Sequence, residues 1–79
     1  MQKAAAARLL GEGRAALQRQ DLDGAITVLG EASRKDPECV EAYYLRGVAY
    51  GRKGDQVRAR ADREESVRLN PALANDPPR

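Results

Sequence analysis

An all-α fold of two stacked antiparallel helix pairs is predicted from three observations. Small and turn-forming residues return after 34 positions, as Gly13 and Gly47, Asp21 and Asp55, Ala25 and Ala59, Pro37 and Pro71. The stretches between them carry apolar residues at three- and four-residue steps, the spacing of one helix face. Each copy ends on a proline that bars continuation of a helix. A period of this length is the mark of one helix–turn–helix unit used twice.

The first helix is expected over 3–19, where nearly every residue is a good helix former. Leu9, Leu10, Gly13, Ala16 and Leu17 form its apolar stripe. Gln20 and Asp21 close it, and Asp21 or Asp23 can cap a second helix over 22–34. That helix turns Leu22, Ala25, Ile26, Leu29 and Ala32 or Ser33 inward, and Arg34 and Lys35 suit its negative end. Pro37 then pushes Asp36 toward an extended backbone.

The third helix is expected over 38–52, with Val40, Tyr43, Tyr44, Gly47, Val48 and Tyr50 on its apolar side. Gly54 can take the left-handed turn conformation, and Asp55 can cap a fourth helix over 56–69. Beyond Pro71 the chain is too short and proline-rich for another full helix, although Leu73 can fold back on the core.

Recurrence of the glycines has a packing reason. Glycine costs a helix interior roughly 1 kcal/mol, so its return implies helices that approach closely. Gly13 is expected to meet Ala25, and Gly47 to meet Ala59, each pair lacking the bulk that would part the axes.

Composition narrows the function. The 79 residues make a single domain, 1–79, near the lower limit for a self-sufficient core. There is no tryptophan or phenylalanine, so three tyrosines and the aliphatic residues supply the bulk. Fourteen basic and twelve acidic side chains leave a net charge of only +2. A partial basic run at Arg52, Lys53, Arg58, Arg60, Arg63 and Arg68 is interleaved with Asp62, Glu64 and Glu65, which disfavours nucleic acid as the partner. Cys39 is alone and reads as a small buried residue. With no histidine and no ligand set on any helix, neither a metal nor another cofactor is expected. Glu64 and Glu65 diverge around their helix and cannot face each other as a catalytic pair, so no enzyme is expected. The alanine-rich start resembles neither a secretion signal nor a membrane span, and a cytoplasmic location is the expectation.

The units resemble tetratricopeptide repeats, the first over 6–39 and the second over 40–73, with a short proline-rich tail at 74–79. Tyr43 stands at the family's first large aromatic, Gly47 at its helix-crossing glycine and Tyr50 at its second aromatic, followed by Gly54, Asp55, Ala59 and the closing Asn70-Pro71. In the first unit Leu9, Gly13, Ala16, Asp21-Leu22, Ala25, Ala32 and Asp36-Pro37 occupy the matching places. Glu12 and Arg46 depart from the leucine usual before the glycine. Arg60 and Arg63 replace apolar residues, and Ser66 replaces an alanine, so the fourth helix reads as a water-facing cap or as a base-rich partner contact.

The resemblance implies an α-α superhelix whose first helices line a concave groove. The groove would present Leu10, Arg14, Leu17 and Gln18 from the first unit and Glu41, Tyr44, Val48 and Arg52 from the second, to a protein or peptide. Leu10 and Leu17 have a second reading as plain core residues. Structural roles fall to Gly13, Ala25, Pro37, Tyr43, Gly47, Tyr50, Gly54, Ala59 and Pro71. The expected function is a non-enzymatic interaction scaffold or adaptor, with a homodimer or assembly module as the alternative and a nucleic-acid-associated basic helix as a weaker one. Two units make a shallow stack, so self-association or a longer array would supply missing interface.

Overall fold

Four helices follow one another with short turns: α1 over Lys3–Gln18, α2 over Leu22–Lys35, α3 over Val40–Lys53 and α4 over Gln56–Leu69. A 3-10 turn over Pro71–Asn75 packs back on α4. The computed structural model describes residues 2–75, so the last four positions of the expected tail lie outside the described residues. The α4 boundaries match those expected from the sequence, whereas α3 begins two residues later. Its entry is consumed by a turn in which the Cys39 amide donates to the Asp36 carbonyl and the Glu38 amide to the Asp36 carboxylate.

The repeat is visible in the backbone itself. Asp21 and Asp55 sit at φ/ψ of −87/80 and −87/82, and their carboxylates accept from the amides of Gly24 and Arg58. Asp36 and Asn70 end their helices at −138/93 and −138/87. Gly54 takes the left-handed conformation at φ 93, and its counterpart one period earlier, Gln20, does so at φ 65. Glutamine meets a Cβ penalty there that glycine does not.

All five residues expected on the α1 stripe are buried, together with Ala6. On α2, Ala25, Leu29, Gly30, Ala32 and Ser33 are buried, with Leu22 and Ile26 packed against the core. The α3 expectation needs correction. Its buried positions are Ala42, Gly47 and Ala49, while Tyr44 is exposed. The cause is that α3 is packed against both α2 and α4 and also touches α1. A helix flanked twice buries two stripes, and alanines serve where both neighbours come near.

The two crossings are filled differently. A Cβ at Gly47 would lie 3.2 Å from the Ala59 carbonyl oxygen and 3.2 Å from Asp62 Cβ, while one at Gly51 would lie 3.9 Å from the Ala59 methyl. Ala59 therefore lies against two glycines one turn apart. At Gly13 the nearest atoms belong to the buried Leu29, not to Ala25 as the sequence suggested; a Cβ there would fall 2.4 Å from Leu29 Cδ2. Leu29 has Arg63 as its counterpart in the second unit, and Arg63 is exposed. The second crossing thus closes by backbone approach, where the first is filled by a leucine.

Two measurements check these contacts. Gln20→Gly should raise stability by up to about 1.5 kcal/mol, the left-handed penalty of about 1–2 kcal/mol less glycine's entropic cost of roughly 0.5–1 kcal/mol; Gly54→Ala should lower it by about 1 kcal/mol. Identical urea midpoints for both variants and the parent would show an unstrained turn. Gly13→Ala should cost about 1–3 kcal/mol by overpacking, and Leu29→Ala about 2–5 kcal/mol by leaving a cavity. The double variant should lose less than the sum, because each change relieves the other; strict additivity would contradict direct contact.

Candidate partner-binding surface

The placement of the helices defines an inner side. Helix α1 contacts α2 and α3, and α3 contacts α4, whereas α2 and α4 do not touch. Helix α3 therefore packs mainly between α2 and α4, and it touches α1 more lightly along the side that α1 and α3 share. Arg14 on α1 pairs with Glu41 on α3, bridging the two inner helices with both side chains about half exposed. At the other end of α3, Lys53 Nζ lies 2.5 Å from the Asp23 carboxylate on α2, and this bond raises the Lys53 pKa.

Glu41, Tyr44, Val48 and Arg52 follow steps of three, four and four and so share one stripe of α3. Tyr44 is 51% exposed, Val48 is half-buried, and Arg52 is exposed with no acidic partner among the described residues. Arg14 and Gln18 are exposed on α1. Leu10 and Leu17 are buried within the hydrophobic core, so they do not extend the apolar track. With α2 and α3 both against α1, these leucines are enclosed between helices. What remains open is a tyrosine and a valine between an ion pair and an unpaired guanidinium.

The tyrosines beside this stripe are structural in geometry. Tyr43 donates its hydroxyl to the Pro37 carbonyl at 3.1 Å, tying α3 to the α2–α3 turn, and burial raises its pKa. The Arg46 guanidinium lies 5.8 Å from the Tyr43 ring, and that of Arg58 lies 6.0 Å from the Tyr50 ring. An open depression of about 580 Å³ lies elsewhere, lined by Gln2, Glu31, Arg34, Lys35 and Pro37, and takes in none of the inner-face residues.

One pair escaped the sequence-based expectations. Arg46 Nε and Nη2 donate to the two carboxylate oxygens of Asp62 at 2.8 and 2.7 Å, joining α3 to α4. The Asp62 side chain is 7% exposed and that of Arg46 24%. Hydrogen bonding to Asp62 raises the Arg46 pKa, so the guanidinium is held charged. Its Nη1 also reaches toward α2, where a Cβ on Gly30 would lie 3.4 Å away. The available signal was that Arg46 stands where the family usually has a leucine, although the first unit has Glu12 there, while Asp62 stands where the first unit has Val28. A base and an acid had replaced apolar residues together across one crossing. Ser66, which is almost fully buried in place of an alanine, donates its hydroxyl to the Arg63 carbonyl at 2.7 Å and so leaves no unmet polar group.

A family model described as Tetratricopeptide repeat matches residues 10–76. The chain belongs to the tetratricopeptide-repeat family. Its four helices are two repeats in antiparallel pairs, and the repeat is a non-catalytic scaffold motif generally engaged in protein–protein interaction. No curated protein and no solved structure matches the chain significantly. Among the described residues no group of three or more histidine, cysteine, aspartate or glutamate side chains could hold a metal ion. No helix among them is long and apolar enough to cross a membrane.

Removing one partner of the Arg46–Asp62 pair should be worse than removing both. Asp62→Ala strands a mostly buried guanidinium and should cost about 2–3 kcal/mol, less than for a fully enclosed charge because Arg46 keeps some access to water. The double variant Arg46→Leu/Asp62→Val restores the apolar pattern of the repeat and should be near neutral or stabilising. Chemical denaturation of the parent and both variants decides it; a double variant as unstable as Asp62→Ala would mean that apolar residues cannot replace the pair.

Proposed function

We propose that this two-repeat protein is a non-enzymatic scaffold or adaptor that binds a peptide or helix of another protein through its inner face. The observation carrying this reading is Tyr44, a half-exposed aromatic between the Arg14–Glu41 pair and Arg52 on the side where the two first helices lie together. Aromatic and arginine side chains are the residue types that dominate binding energy at protein interfaces. Val48 lies one turn along and supplies apolar surface, and Arg52 offers an unpaired donor fork for a carboxylate or carbonyl.

Tyr44 is the one large hydrophobic exposed on this stripe, so a partner gains most from a few anchors. A rigid aromatic with two side-chain torsions loses little entropy on docking. A second copy of the chain is the competing occupant of the same face, and it would give a homodimer.

A photo-crosslinking residue at position 44 should capture the partner, and none should be captured from Thr27, which is exposed on α2. With the captured protein in hand, Tyr44→Ala should weaken binding by about tenfold or more while leaving the helical circular-dichroism spectrum unchanged. Equal capture from both positions would reject the inner face. Sedimentation across a range of concentrations separates the second occupant: self-association abolished by Tyr44→Ala would assign the face to a dimer.

A further inference from the structure

In the linear sequence, the arginines of α4 are diluted by neighbouring acids. The structure removes most of that dilution. Asp62 is turned inward onto Arg46. Asp55 is bound to Arg58 at 2.7 Å, and Glu65 is bound to Arg68; these hydrogen bonds hold both carboxyl pKa values low. Three acids are thus committed to three bases. Arg60 and Arg63 are exposed and have no acidic partner among the described residues, and Glu64 is the one acid left unpaired beside them among those residues.

The repeat indicates what this face would carry if it were used. On α2, one stripe faces α3: Asp23 binds Lys53, Gly30 meets Arg46, and Ile26 packs on the core. Shifted by one period, the same stripe on α4 is Val57, Arg60 and Glu64, with Arg63 alongside. Among the described residues only α3 and the 3-10 turn contact α4. Val57 is 82% exposed. A surface that is shaped to receive a helix in the first repeat is open in the second, with two unpaired guanidinium groups and an exposed valine on it.

We propose that the outer face of α4 is a second interaction surface, which takes an acidic amphipathic helix of a partner protein. The occupant follows from charge complementarity. Carboxylates at helical spacing would meet Arg60 and Arg63, an apolar side chain would cover Val57, and a base one turn from the acids would answer Glu64. This surface is separate from the inner face and does not depend on it.

The test uses the isotope-labelled whole chain and synthetic probes. A helical peptide with a glutamate stripe should shift the amides of α4 around Val57, Arg60 and Arg63, and its affinity should fall as salt is raised. The same peptide with lysines in place of the glutamates should bind at least about tenfold more weakly. Arg60→Glu/Arg63→Glu should reverse that preference, and Glu64→Gln should tighten the acidic peptide. All three side chains are exposed, so the helical spectrum of each variant should match the parent. Equal binding of acidic and basic peptides would overturn the proposal, as would shifts confined to the Tyr44 face. An oligonucleotide duplex that binds α4 where the acidic peptide does not would also overturn it and assign the face to nucleic acid.

Discussion

Absent side-chain bulk at the two helix crossings is the constraint from which the other features follow. Leu29 lies against Gly13, and Ala59 lies against Gly47 and Gly51, so that added bulk at either crossing would press on its neighbour. The capping aspartates and left-handed turn residues recur with similar backbone angles in both units, so each pair enters its crossing from the same local geometry. Axes held this close bring α1 beside α3, which places Arg14 within reach of Glu41 and leaves Tyr44 at the surface. Dispersion contacts fall off within an ångström of radial gap. A wider crossing would therefore lose packing energy and change the inner face together.

The two halves reach that geometry by unequal means. The first pair buries Leu9, Leu10, Leu17 and Leu29 and is held mainly by apolar contact. On α4 the buried residues are Asp62 and Ser66. It is attached to α3 by the Arg46 fork and by backbone proximity at Ala59, while the Asp55 cap and the Ser66 hydroxyl make bonds within the helix itself. A buried ion pair contributes less net stability than an apolar pair of similar volume, since desolvation opposes the attraction. Helix α4 accordingly draws less on apolar burial than the helices of the first repeat do.

Charge commitment also explains how one small chain can present two unlike faces. On the inner side the Arg14–Glu41 pair neutralises itself and leaves an aromatic anchor with Arg52. On α4, acids that look like surface charges in the sequence are bound to other bases, so Arg60 and Arg63 set the local potential. Net charge of +2 conceals both arrangements. Local pairing, rather than composition, decides what a partner meets.

The sequence alone determined the four helices, their pairing, the cap at Asp55, a cap at Asp21 or Asp23, and the left-handed turn at Gly54. Each of these is written in local spacing or in a residue's own backbone preference. The small residues at the crossings were equally legible, since a glycine that weakens its own helix and returns at a fixed offset marks a place where two helices touch. Tertiary structure decided the rest: that Leu29 fills the notch at Gly13, that Leu10 and Leu17 are enclosed, that Ala42 and Ala49 are core, and that Asp62 turns inward to Arg46. Periodicity placed Leu10, Leu17 and Leu29 on apolar faces but did not settle what those faces meet, because that depends on how many neighbours a helix has and on which side they lie. Helical spacing assigns a residue to a face; only the packed chain determines whether that face meets water, a leucine or a guanidinium.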